Sequence, residues 1–249
     1  MTKAKSFIAV WILPVFIIGL WFVSTSKNWV NKSVLPSPEK VWDSLSNLIS
    51  TGKIWGHIGS SLGRVLKGYA LGAVFGIVTG ILIGISVTAE KLSQIIIGSL
   101  RPIPAIALIP FFILWMGIGE ESKVAVIVFG SFWPVLLNTI QGIKSVDHRL
   151  LQVGQILEKN RFVILFRIIL PAALPSLLTG LRLGISSAWT CVVAAEMIAA
   201  SKGVGFLITY SREMAQPATL LIGVAIIGLF GMVIDIGFNQ LNKKLIFWQ

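Results

Sequence analysis

Residues 150–175 read LLQVGQILEKNRFVILFRIILPAALP, a stretch patterned for water on one side and protein on the other, while nearly everything around it is patterned for lipid. Asp147 is suited to cap a helix start. Leu150, Val153, Gly154 and Leu157 then share one helical face, with His148, Gln152, Gln155 and Lys159 opposite. The result is a short amphipathic helix. Asn160 and Arg161 interrupt it, a second apolar stretch runs from Phe162 to Leu170, and Pro171 and Pro175 punctuate the entry into the next hydrophobic segment. A basic, amphipathic break of this length between apolar runs is a place where a soluble partner can push.

Outward from this stretch the composition turns to lipid. The 249 residues are 55% hydrophobic and 12% charged, with mean hydropathy +0.86, against roughly 25% charged in a soluble domain. A bilayer core asks for about 20 predominantly apolar residues per helix, and the pattern predicts spans at 7–26, 68–89, 92–119, 124–143, 176–200 and 214–235, with a cytoplasmic segment at 147–170. The fold class expected is therefore an all-α membrane protein of about six transmembrane helices in a single domain, 1–249. Its solvent is the lipid bilayer, and nucleic acid is not an expected partner. Cys191, the single cysteine, lies in an apolar run and reads as a packing residue, while His57 and His148 are isolated, so no metal site is expected. No Gly-x-x-x-x-Gly-Lys-Ser/Thr phosphate loop occurs. If ATP drives this protein, another subunit binds it.

Lys3 and Lys5 precede the first apolar run, and no small-residue cleavage site follows Val23, so the first span reads as uncleaved and starting in the cytoplasm. Between Lys27 and Lys67 the chain is more polar. There Pro36 and Pro38 precede a helical pattern in Val41, Trp42, Leu45, Leu48 and Ile49 that suits an outer interfacial helix. Gly68, Gly72, Gly76, Gly80 and Gly84 then recur at a spacing of four. Each costs roughly 1 kcal/mol relative to alanine in a helix, so the row needs a reason. Close approach of a neighbouring helix supplies one, and a pore-lining groove another.

The span predicted at 92–119 contains Arg101, Pro102, Pro104, Pro110 and Trp115 before the turn Gly117–Gly119. Its prolines lack backbone donors and leave carbonyls free at membrane depth, tolerable against protein or a wet cavity. Arg101, Pro104 and Trp115 are accordingly expected near a translocation path. Arg182 and Glu196 join them, because a charge inside a span costs on the order of 3 kcal/mol on insertion scales and calls for a function. At fourteen residues apart along one helix, about 21 Å, these two cannot pair. Arg182 reads as snorkelling or as part of an anion path, and Arg101 or an outer lysine is a candidate partner for Glu196. Arg64 falls at the edge of a predicted span. The basic residues lean modestly to the inner side, where Lys91, Lys144, Arg149, Lys159, Arg161, Lys243 and Lys244 fall on this topology.

The amphipathic stretch resembles the coupling segment of the membrane subunits of ATP-driven (ABC) importers, in which an acidic-Ala-Ala triplet is followed by a glycine and, further on, by Ile-Leu-Pro. ILPAALPSLLTGLRLG, AWTCVVAAEMIAAS, LPSPEKVWDSL and RPIPAIALIPFFILWMGIGEESK are similar to the branch that imports nitrate, bicarbonate, taurine and aliphatic sulfonates, and the resemblance covers residues 35–240. Gln152, Val153 and Gly154 stand in the triplet's place and Glu158 in the glycine's. Because Glu158 would adopt a left-handed turn only at a cost, the helix is expected to run one turn further.

The resemblance implies a type I importer permease fold with a cytoplasmic coupling helix. It assigns ATPase coupling to Leu150, Gln152, Val153, Gly154, Leu157, Glu158 and Pro171. It also implies a second permease copy in a homodimer, ABC ATPase subunits that hold ATP and Mg, a periplasmic or lipid-anchored substrate-binding protein, and a bacterial-type cytoplasmic (inner) membrane. No cofactor is expected in this chain. A stand-alone secondary transporter or channel is the alternative. It would need ion-coupling acids and inverted repeats, of which only Glu196 is visible.

Overall fold

The computed structural model describes residues 3–31 and 33–245, with side chains at all of these except 3–11, 155 and 245. Expectations for Lys32 and for the side chains of Lys3, Lys5 and Gln155 lie outside the described residues. The described chain is helical from end to end: α1 (Lys3–Ser26), α2 (Pro38–Ser50), α3 (Lys53–Ile85), α4 (Val87–Leu100), a 3₁₀ turn (Ala105–Leu108), α5 (Ile109–Met116), α6 (Glu120–Lys144), α7 (His148–Ile156), α8 (Arg161–Ile164), a π turn (Leu165–Ile169), α9 (Leu170–Ala199), α10 (Val204–Glu213) and α11 (Pro217–Leu245). Among the described residues, four helical stretches are long and apolar enough to cross a bilayer: Lys53–Ile85, Glu120–Lys144, Arg161–Ala199 and Pro217–Lys244. A fifth crossing is available there if α4 and the segment Ala105–Met116, bent by 80°, count as one, and Ile12–Ser26 of α1 is apolar but shorter.

The core is three helices deep, with α6 held between α3 and α9. Ile127, Val135 and Leu136 of α6 are fully buried, as are Val65 of α3 and Ala188 and Val192 of α9. The glycine row explains one of these contacts. A Cβ placed on Gly72 would lie 2.2 Å from Ser131 Oγ and 2.8 Å from the Val128 carbonyl, and one on Gly80 2.7 Å from Thr139 Cβ. The hydroxyls of Ser131 and Thr139 turn back onto their own helix, to Ile127 O and Val135 O, each at 2.8 Å. No polar group in the seam is thereby left unpaired at these points.

Several spans differ from their predicted bounds. The helix expected at 68–89 starts at Lys53, fifteen residues earlier, and stops at Ile85. Arg64 therefore lies inside a helix and is buried. The span expected at 92–119 is broken: Pro102 and Pro104 supply no N–H to continue the ladder, and Pro104 takes an extended conformation (ψ 128°). Pro110 stands in the first turn of α5, where its missing donor costs nothing. Asp235, expected to mark the end of the last span, lies within α11.

The segment Leu150–Pro175 also departs from expectation at one turn. The helix does not run further; it stops at Ile156, and Glu158 adopts the left-handed conformation (φ 49°). Lys159 N donates to Gly154 O at 3.1 Å across this turn, the closure with which a glycine usually ends a helix. Further on, Pro171 cannot donate to Arg167, and the ladder widens just before it: the Leu170 amide bonds Leu165 O, a π turn.

Candidate functional site

We call the end of the molecule that carries α7 the inner end. Ile85, Glu90 and Lys144 lie there, and Lys144 pairs with Glu90. At the opposite, outer end lies a cluster of charges that are buried except for the exposed side chain of Glu120. Glu196 on α9 is 1% exposed and Arg64 on α3 is 7% exposed. Arg64 Nη1 donates to Glu196 Oε1 at 2.7 Å and to the Lys202 carbonyl at 2.7 Å. Its Nε and Nη2 form a two-pronged contact with Glu120 at 2.6 and 2.8 Å, the geometry a planar guanidinium favours. Lys123 completes the group on Glu120 at 2.9 Å.

The second carboxylate is surrounded by donors. Ser61 Oγ lies 2.8 Å from both oxygens of Glu196, and the Gly205 amide donates to Oε2 at 3.0 Å. Ser61 Oγ in turn accepts from Val204 N at 2.9 Å, and the neighbouring Gly203 N donates to His57 Nδ1 at 3.2 Å. Gly203 has φ 132°, and a Cβ there would lie 2.2 Å from Glu196 Cδ. Only glycine lets the loop close over the carboxylate in this way. Two acids and two bases balance, so the cluster ties α3, α6, α9 and α10 together without net charge.

Halfway along α6 lies a cavity of about 560 Å³ opened by the break between α4 and α5. Arg101, Trp133, Asn138, Gln141 and Ser187 line it. Pro134 has no N–H for Gly130 O, and the Ser187 hydroxyl takes that carbonyl at 2.8 Å; Asn138 Nδ2 likewise donates to Pro134 O at 2.8 Å. The kinked ladder is thus satisfied from the side, as membrane depth requires. Cys191 packs nearby, where a Cβ on Gly130 would lie 2.4 Å from its Sγ.

At the inner end, α7 turns its apolar residues outward. Leu150, Val153, Ile156 and Leu157 are 47%, 52%, 79% and 59% exposed. Gly154 alone of the predicted face is buried, against Ile164 and Ile168. Gln152, Glu158 and Pro171 are exposed.

The residues expected on one translocation path are therefore dispersed. Arg101 borders the central cavity and Pro104 stands in the break beside it. Trp115 is 70% exposed at the end of α5, edge-on to Phe111. Arg182 is not a free charge: its Nε donates to Asp235 Oδ1 at 2.8 Å, and Asn239 holds the other oxygen at 3.2 Å. The partner of Glu196 is Arg64, with Ser61 beside it, rather than Arg101 or an outer lysine. Sequence reasoning passed over Arg64, although it lies one helical turn before Gly68 in the same row. Among the described residues no three His, Cys, Asp or Glu side chains come together as metal ligands.

Comparison with known proteins accords with this architecture. The permease protein SsuC of Bacillus subtilis (strain 168), named for the transport of aliphatic sulfonates, is 37% identical over 96% of this chain and 86% of its own. The taurine transport system permease protein TauC of Escherichia coli (strain K12) is 33% identical over 94% and 86%. The bicarbonate transport system permease protein CmpB of Synechocystis sp. is 30% identical over 93% and 88%. Among solved structures, an inward-facing conformation of the MetNI methionine ABC transporter has a chain that superposes with TM-score 0.67, covering 78% of this chain and 95% of that one at 15% identity. The model of the family described as binding-protein-dependent transport system inner membrane component matches residues 72–247, and the chain belongs to that family, the multi-pass permease components of ABC importers.

Proposed function

We propose that this permease carries a small oxoanion, an organic sulfonate such as taurine, or else bicarbonate or nitrate, across a bacterial cytoplasmic membrane as one half of a homodimer. Relatives named for aliphatic sulfonates, taurine and bicarbonate support this substrate class. A periplasmic or lipid-anchored binding protein delivers the anion to the outer end. There α2, α10 and the start of α3 frame a recess of about 880 Å³ lined by Lys40, Asn47, Lys53, His57 and Tyr210. ATP and Mg are held by separate ATPase subunits that grip α7.

The observation that carries this reading is the exposed apolar face of α7 at the inner end, with Leu150, Val153 and Leu157 turned to solvent. Burying a leucine side chain contributes about 2 kcal/mol, so a groove on an ATPase that covers this face binds the helix and can move it. Gly154, seated on Ile164 and Ile168, passes that movement to α9 through the π turn. Closure of the ATPases then rocks the spans between inward- and outward-open states.

Leu157→Arg tests the assignment. The variant should insert normally but lose ATPase association and at least tenfold of ATP-driven uptake, because a cation would have to be buried in the groove. Normal association and uptake would refute the role given to α7.

A further inference from the structure

We propose that the cavity at the broken span is a waypoint on the import route, where Arg101 and the Trp133 indole N–H together bind the oxoanion in transit. This rests on the reading of the chain as an anion importer. The cavity lies mid-membrane, since Trp133 stands thirteen residues from Glu120 and eleven from Lys144, about 20 Å and 17 Å along the helix.

The buried basic groups of the bundle each have an acid, Arg64 with Glu120 and Glu196 and Lys123 with Glu120 at the outer end, and Arg182 pairs with Asp235. Arg101 has none among the described residues, and no carboxylate lines the cavity. An unpaired cation inside a span is costly and marks a route or a ligand.

A second observation points the same way. Trp133 is 9% exposed, and its Nε1 is buried with no acceptor. A donor left unpaired in this way costs about 1 to 3 kcal/mol. Asn138 Nδ2 and the Ser187 hydroxyl donate to backbone carbonyls, and no oxygen of the described lining accepts from the indole. The indole N–H is thus left without an acceptor, and a sulfonate brings three oxygens. The guanidinium fork can take two of them and the indole the third. Without a carboxylate, the same lining sets no negative charge against that of Arg101, which disfavours a cation.

The test uses the importer assembled with its ATPase and binding-protein subunits in proteoliposomes. ATP-driven uptake of taurine, ethanesulfonate, nitrate and bicarbonate is compared with glucose. Whichever anion the wild type moves, Arg101→Gln should import it at least tenfold more slowly and Trp133→Phe at least threefold more slowly. Assembly and binding-protein-stimulated ATP hydrolysis should be retained in both, and Arg101→Lys should recover part of the rate. If either R101Q or W133F imports at the wild-type rate, the cavity is not the waypoint, and the importer reading stands without it. If the wild type moves glucose and none of the four anions, the substrate class fails and the waypoint with it.

Discussion

The most deeply buried charge among the described residues is Glu196, a carboxylate 1% exposed and held by Arg64, Ser61 and the Gly205 amide. Removing one partner of a buried ion pair leaves the other uncompensated, at about 3 to 5 kcal/mol. Arg64→Ala should therefore lower the thermal midpoint of the detergent-solubilised complex sharply, and Arg64→Ala with Glu196→Gln should recover part of the loss. An Arg64→Ala protein that melts with the wild type would show that the cluster contributes nothing to stability. Glu196 was legible in the sequence as a charge among alanines, whereas its partner was not, because 132 residues separate the two and only the packing of α3 on α9 brings them together. Glu158 illustrates the converse. A glutamate was expected to avoid the left-handed turn by extending the helix, but the chain takes that turn at Glu158 and ends α7 at Ile156. Glu158→Gly should relieve about 1 kcal/mol of strain, read as slower amide exchange at residues 157–161.

At the scale of elements, the seam between α3 and α6 is set by which glycines face it. Gly72 has no room for a methyl, with Ser131 Oγ 2.2 Å from the position a Cβ would take, whereas Gly59 and Gly63 on the same helix have nothing within 4 Å. Gly72→Ala should push the two helices apart and lower the melting temperature. Gly63→Ala should leave it unchanged or raise it, because alanine is the better helix former by about 1 kcal/mol. Equal effects at the two positions would mean that spacing in the seam does not limit stability. The row of glycines was readable as one bare face of a helix, and the contacts of α6 decide for close helix approach over a pore-lining groove. The break after α4 was only half readable: Pro102 and Pro104 announce a free backbone, but an 80° bend depends on the space left beside α6, which no local pattern encodes.

The whole molecule has two unlike ends, and their orientation follows from which helix termini meet. Arg64, Glu120, Glu196 and Lys202 converge at one end, while Glu90 meets Lys144 near α7 at the other. The α7 end also carries Arg149, Lys159, Arg161 and, at the close of α11, Lys243 and Lys244, so the positive-inside rule predicts that it faces the cytoplasm. In a variant whose buried Cys191 is replaced by alanine, a cysteine at Ile156, 79% exposed on α7, and one at Trp42, 68% exposed on α2, should report opposite compartments. A membrane-impermeant maleimide should label Ile156→Cys in inside-out vesicles alone and Trp42→Cys in right-side-out vesicles alone. The reverse pattern would put α7 outside, where no ATP-hydrolysing subunit can reach it. With that, the coupling role of Leu150, Val153 and Leu157 would fall, although the three-helix core and its charge cluster would stand as they are.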